Sequence, residues 1–256
     1  MVDYKLIHGN CLKVMRKIPD SSVHMILCDL PYGTTACSWD SVIPFEPLWK
    51  EYRRIIIDYG AIVLFGAEPF SSALRTSNIK WYKYDWIWQK SSNVGFTNAK
   101  NKPLNDHELV SVFSKGTTAN CSDKMMPYYP QGLIRVNKIT SGLKGASSSD
   151  EKGHRFMRKS DKEKILQEYA NYPKKIIRFG NDSNTVHPTQ KPVALLEYLI
   201  KTYTNVGDIV MDNTMGSGST GVAAVKCKRK FIGIEKELEY YNVAGRRIKE
   251  ITHSLF

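Results

Sequence analysis

Cysteine is scarce in this chain, and long apolar runs are missing altogether. The five cysteines among 256 residues, at 11, 28, 37, 121 and 227, form an odd set with no C-x-x-C pair. That argues against a disulfide frame or a zinc knuckle and predicts reduced thiols. The six histidines (8, 24, 107, 154, 187 and 253) lack metal-ligand spacing on one helical face, so no metal is expected. No uninterrupted apolar stretch approaches the roughly 18 residues of a membrane helix, and the start, MVDYKLIHGN, lacks a basic leader with an apolar core. The expectation is a cytoplasmic protein without a membrane span. Acidic residues are also in deficit: 25 Asp/Glu against 37 Lys/Arg leave a net charge of +12. Such a balance suits a polyanion partner such as nucleic acid, although solvated lysines alone produce it too.

What is present reads as alternating strands and helices. Seven short apolar segments predict strands: 4–8, 23–28, 61–66, 84–89, 109–114, 208–211 and 230–234. Several are nearly continuous in Val, Ile and Leu, the pattern of strands covered on both faces. Helical spacing appears at 12–18, 47–58 and 70–76, and again in Val193, Leu196, Leu199, Ile200 and Tyr203 and in Tyr241, Ala244, Ile248 and Ile251. Alternation of this kind predicts an α/β fold with a doubly wound parallel sheet of seven strands. Trp81, Trp86 and Trp88 are read as core or interface residues.

The middle breaks the pattern. Between 116 and 180 apolar periodicity is lost, the chain passes through GLKGASSSDEKGHRFMRKSDKEK, and 13 Lys/Arg stand against 6 Asp/Glu. The expected organisation is a core half at 1–115, a basic insertion contacting nucleic acid at 116–180, and a second core half at 181–256.

Two motifs carry chemistry. In DIVMDNTMGSGSTGVAAVKCKRKFIGIE, 208–235, Gly216, Gly218 and Gly221 fit G-x-G-x-x-G between a strand and a helix, and Glu235 ends the next strand. This arrangement admits a nucleotide-like ligand to the backbone and offers a carboxylate to ribose hydroxyls, without separating a dinucleotide from another adenosine ligand. Asp212, just before the turn, suits a ligand amino group. The other motif is CDLPYGTT, 28–35: a strand ends in Asp29, Leu30, Pro31 and Tyr32. If the strands at 23–28 and 208–211 are central neighbours, both loops face one crevice beyond the carboxyl ends of the strands.

With DLPY first, DNTMGSGST later and HPTQKP (187–192) between them, the sequence resembles the S-adenosylmethionine-dependent DNA amino-methyltransferases of the β arrangement, whose motifs are D-P-P-Y and D-P-F-x-G-S-G-T. The resemblance covers nearly the whole chain except the middle. It implies a permuted Rossmann-like methyltransferase sheet in which the insertion recognises the DNA target. Asn10 stands where the family has aspartate in LIHGN, Leu30 replaces the first proline, and Thr214 replaces the phenylalanine.

The implied reaction is site-specific N6 methylation of an adenine flipped out of duplex DNA. Asp29 and the Leu30 carbonyl would accept the two amine N–H bonds, Pro31 would fix the corner, and Tyr32 would stack on the flipped base. For the cofactor the resemblance implies Asn10, Cys11, Asp29, Asp212, Thr214, Gly216, Gly218 and Glu235. Ser217 and Ser219 are added as donors to the cofactor carboxylate, and Lys191 with Gln190 either touches that carboxylate or only begins a helix. Phe96 and Asn98 are candidates for the base pocket, with His107 and Glu108 assigned to structure. In the basic middle, Tyr128, Tyr129, His154, Arg155 and Arg158 are candidates for DNA contact.

Alternatives remain open at this point: N4-cytosine methylation, an RNA or protein-glutamine acceptor, an inactive nucleic-acid-binding protein, and a dinucleotide oxidoreductase. Open too are a homodimer, a partner restriction endonuclease, and a place at the nucleoid of a prokaryotic or phage-infected cell.

Overall fold

The computed structural model describes residues 3–33, 40–143, 147–149, 155–157, 162–182 and 190–254. Contacts divide them into two compact units, Met1–Tyr129 with Lys174–Phe256, and Pro130–Pro173.

The larger unit is built on one eight-stranded sheet. In chain order its elements are β1 (Tyr4–His8), α1 (Cys11–Met15), β2 (Val23–Asp29), α2 (Phe45–Ile55), β3 (Ile56–Gly66), α3 (Phe70–Ser77), β4 (Tyr82–Val94), a 3₁₀ turn (Phe96–Asn98) and β5 (Asn105–Phe113). The smaller unit then contributes β6 (Ile134–Leu143), β7 (Ser147–Ser149), β8 (Arg155–Met157) and β9 (Lys162–Ala170). The larger unit resumes with β10 (Ile176–Arg178), α4 (Val193–Tyr203), β11 (Ile209–Asp212), α5 (Ser219–Lys226), β12 (Lys230–Glu235) and α6 (Leu238–Ser254).

The strand order is β1-β12-β11-β2-β3-β5-β4-β10. Only β5 runs antiparallel to its neighbours. All seven expected strands lie in this sheet. The eighth, β10, is a correction to the count: three residues pair with the edge of β4 and only Ile177 is buried, so no apolar run announces it. The expected helix at 47–58 also stops early, at Ile55, because the β-branched run from Ile56 continues directly as β3.

Alternation along the strands makes two cores. Met25, Leu27, Ala61 and Val63 point to one face, with Leu199, Val222 and Ile248 of α4, α5 and α6. Ile26, Cys28, Ile62 and Leu64 point to the other, with Met15, Tyr52 and Leu74 of α1, α2 and α3. Neighbouring β2 and β11 pair at Met25 with Val210 and at Ile26 with Met211. From there the chain winds outward to β3 on one side and to β12 on the other, which makes their junction the switch point of the sheet.

The stretch expected as one insertion, 116–180, is divided. Met126 is buried in the larger unit and the Tyr129 amide donates to the Thr202 carbonyl at 2.8 Å, while 176–178 complete the sheet. Within the smaller unit, β6 and β9 pair as an antiparallel ribbon and β7 pairs with β8.

Candidate active site

The carboxyl ends of β2, β4, β11 and β12 open onto a cavity of about 670 Å³. β2 delivers Asp29, Leu30, Pro31 and Tyr32 to its wall; β11 delivers Asp212, Asn213, Thr214 and Gly216. Thr214 ties the two loops together: its hydroxyl donates to the Asp29 carbonyl at 3.0 Å and lies 2.9 Å from the Cys28 thiol. A phenylalanine could not make those bonds, so this departure from the family pattern has a polar function here.

Asp29 is the most constrained group. Its Oδ1 accepts the Tyr32 hydroxyl at 2.5 Å and its Oδ2 accepts Lys191 Nζ at 2.5 Å. Lys191 is buried, sits 3.3 Å from Glu108 Oε2 and lies over the Phe65 ring, and Glu108 pairs in turn with Lys90 at 2.5 Å. Burial pushes the Asp29 carboxyl up, against the pull of Lys191. Burial opposes the charge on Glu108 as well, but Lys191 and Lys90 outweigh it and draw that carboxyl down. Burial and then Asp29 push the Tyr32 phenol well up, so the hydroxyl stays a donor. One face of the Tyr32 ring stacks on Phe70, centroids 5.0 Å apart.

The glycine turn divides its glycines between two tasks. Gly216 has φ +51°, and a Cβ there would meet nothing within 4 Å; it lines the cavity. Gly218, expected at the cofactor, does not line the cavity. It has φ +81°, and a Cβ there would stand 2.7 Å from Ala244 Cβ, so its lack of a side chain lets α6 approach. Ser217 and Ser219 do line the cavity, and Arg247 from α6 holds their hydroxyls at 3.0 and 3.2 Å.

The remaining cofactor candidates ring the same space. Asn10 and Cys11 line it; Asn10 also caps α1, its Oδ1 accepting the Lys13 amide at 3.3 Å. Glu235 Oε2 accepts the Gly216 amide at 2.8 Å, and Oε1 accepts the amides of Lys236 and Glu237, each at 2.8 Å. Asp212, 3% exposed, is pushed up to about 7 by burial. Tyr52 donates to Asn213 Oδ1, and the Asn213 side chain also meets the Cys11 thiol.

The nucleic-acid candidates that the structure describes lie on several elements. Phe96, 69% exposed, and Asn98 lie in the turn after β4, whose Ser92 and Val94 line the cavity. Tyr128 and Tyr129 belong elsewhere: Tyr128 leans on Tyr203, and the Tyr129 hydroxyl accepts from Asn205 at 2.7 Å. Those partners lie just before β11, at the amino end of that strand, and neither tyrosine lines the cavity. Arg155 opens β8 in the smaller unit, and His154 and Arg158 fall outside the described residues.

Sequence reasoning missed Lys90, Asp182, Asn213 and Arg247 and read Glu108 as structural, although all but Arg247 line the cavity. Lys90 carried one signal, a basic residue closing an apolar strand. Among the described residues there is no cluster of three or more metal-ligating side chains, and no helix long and apolar enough to cross a membrane.

Comparison with known proteins agrees with this fold. The DNA adenine methyltransferase YhdJ of Escherichia coli (strain K12) is 28% identical over 97% of this chain and 83% of its own length. The M1.HpyAVI–SAM complex superposes with TM-score 0.61 at 23% identity, covering 95% of this chain and 99% of that one. The cytosine-N4-specific PvuII DNA methyltransferase superposes with TM-score 0.65 at 16% identity, covering 99% and 92%. The family model of the N6/N4 DNA methylases matches residues 23–246, and the chain belongs to that family.

Proposed function

We propose that this chain transfers a methyl group from S-adenosylmethionine to the N6 amine of an adenine flipped out of DNA. One observation carries the reading: Asp29 and the open glycine turn face a single cavity at the β2–β11 switch point. The residues there fit the cofactor. Gly216 leaves room beside the backbone, Asn213 lines the wall, and Glu235 and Asp212 supply carboxyl oxygens. When bound, S-adenosylmethionine supplies an electrophilic methyl group on a sulfonium.

The rest is positioning by the protein. An exocyclic amine is a weak nucleophile because its lone pair is delocalised into the ring. Asp29 accepts one of its N–H bonds, and the Leu30 carbonyl, whose side chain is anchored in the core, accepts the other. Two acceptors draw the nitrogen toward a pyramidal shape and expose the lone pair. Flipping the base costs a few kcal/mol, and stacking on the Tyr32 face opposite Phe70 returns about 1–3 kcal/mol. Aspartate at the head of the tetrapeptide, and the adenine activity named for YhdJ, support adenine over cytosine.

The test is methylation of DNA with labelled cofactor, followed by digestion to nucleosides. N6-methyladenine is expected, with Asp29→Ala losing at least about 10³-fold in rate while cofactor affinity changes little. Label confined to N4-methylcytosine would overturn the adenine assignment.

A further inference from the structure

Lys191, Glu108 and Lys90 form a cluster at the cavity wall to which the reaction above gives no task. We propose that Lys191 is a positioning residue for methyl transfer: it fixes the Asp29 carboxylate in one orientation and keeps it ionised. This rests on the reading that Asp29 receives the target amine.

The first argument is geometric. Lys191 comes from the segment that leads into α4, and its ammonium crosses to Asp29 Oδ2 at 2.5 Å. Its other anionic contact is Glu108 Oε2 at 3.3 Å, a buried oxygen that the ammonium compensates. The Phe65 ring lies 5.3 Å from the same nitrogen. Two carboxylates and a ring thus surround the ammonium, which favours this assignment over a cofactor-carboxylate ligand. With Oδ2 pinned, the carboxylate plane is set, and Oδ1 remains the oxygen on the Tyr32 side, where the base would stack.

The second argument is electrostatic. The groups facing Asp29 are Tyr32, Cys28, Asp212, Glu108 and Lys191. Burial holds the Tyr32 phenol and the Cys28 thiol neutral and pushes the Asp212 carboxyl up to about 7. Lys191 is therefore the cation that bonds Asp29 among the described residues, while Lys90 neutralises Glu108 from the other side. The four-membered chain Asp29–Lys191–Glu108–Lys90 carries no net charge. Removing the Lys191 ammonium leaves an uncompensated negative charge in a desolvated site, and such a site relieves it by taking up a proton. Asp29 would be the group protonated, and a protonated carboxyl loses the acceptor strength that the amine requires.

The experiment compares wild type, Lys191→Met and Lys191→Arg in DNA methylation from pH about 5.5 to about 9, with cofactor affinity measured separately by calorimetry. For Lys191→Met the acid limb of kcat/KM should move up by at least about one pH unit, kcat at pH about 7 should fall by roughly 10²-fold, and cofactor Kd should stay within about threefold. Lys191→Arg should restore the position of the acid limb. If the methionine variant does not fold, Lys191→Gln, which can still donate but carries no charge, takes its place. An unmoved acid limb, or cofactor affinity falling in step with kcat, overturns the proposal. The methylated nucleoside made by wild type tests the parent reading independently, because the pH shift is measured whichever amine is the acceptor.

Discussion

Asp212 sits at the floor of the cavity, 3% exposed, with the Thr214 amide donating to its Oδ1 at 3.1 Å. Burial raises its pKa from 3.8 to about 7, so the folded protein prefers the neutral carboxyl. The sign follows from linkage: below pH about 4 both states hold the proton and Asp212 costs nothing, whereas above about 7 folding has to accommodate a buried charge. Stability from this residue is lost as pH rises through that window. Asp212→Asn should therefore stabilise the cofactor-free protein by an amount that grows with pH and reaches at most about 4 kcal/mol near pH 8. Denaturant unfolding of both proteins at several pH values measures it, and a difference independent of pH would refute the assignment. The neighbouring residues divide by how they could be read. Asp29 and Tyr32 were legible because they end an apolar strand in a motif. Glu108 was not, and Lys90 only as a basic residue after an apolar run, since the two pair across β4 and β5 and reach Asp29 only through Lys191, which is distant in sequence.

At the scale of elements, β11 and α5 are joined by a turn whose glycines serve different neighbours. At Gly216 the constraint is the left-handed backbone and the open cavity, whereas at Gly218 it is also the Ala244 Cα, 3.0 Å from where a Cβ would stand. Gly218→Ala should destabilise the protein by about 2–4 kcal/mol, combining left-handed strain with overpacking against α6. Gly216→Ala should cost only about 1 kcal/mol but weaken S-adenosylmethionine binding at least about tenfold, because its methyl group enters the cavity. Thermal melts and calorimetry on the two variants separate these effects, and equal losses in both would show that the turn does not divide in this way. The strands of the sheet were readable because burial on both faces writes a continuous apolar run, as in Val23–Cys28 and Ala61–Phe65. Where backbone pairing acts without burial the signal disappears. The exposed end of β4, KSSNV, the edge strand β10 and the ribbon β6–β9 were illegible for that reason.

For the whole molecule, the question is where the charge of +12 acts. The unit Pro130–Pro173 contains nine Lys/Arg against five Asp/Glu, four net positive charges on 44 residues. Among the described residues neither core cluster includes one from it, and its ribbon leaves Ile134, Ile139 and Leu166 exposed, at 58, 66 and 55%. A two-stranded ribbon is marginal alone in water, and a protein that reads duplex DNA can use such a ribbon in the major groove. The cavity residues all belong to the other unit. Replacing Pro130–Pro173 by a flexible Gly/Ser linker should therefore leave cofactor affinity within about threefold while DNA affinity and sequence preference fall. Each lost phosphate contact flattens the plot of log affinity against log salt by about 0.9, so three or four contacts would make the slope shallower by roughly 3. Filter binding across a salt series measures that slope for both proteins. An unchanged slope would place the DNA-contacting charge on the larger unit, and the ribbon would then have no part in holding the duplex.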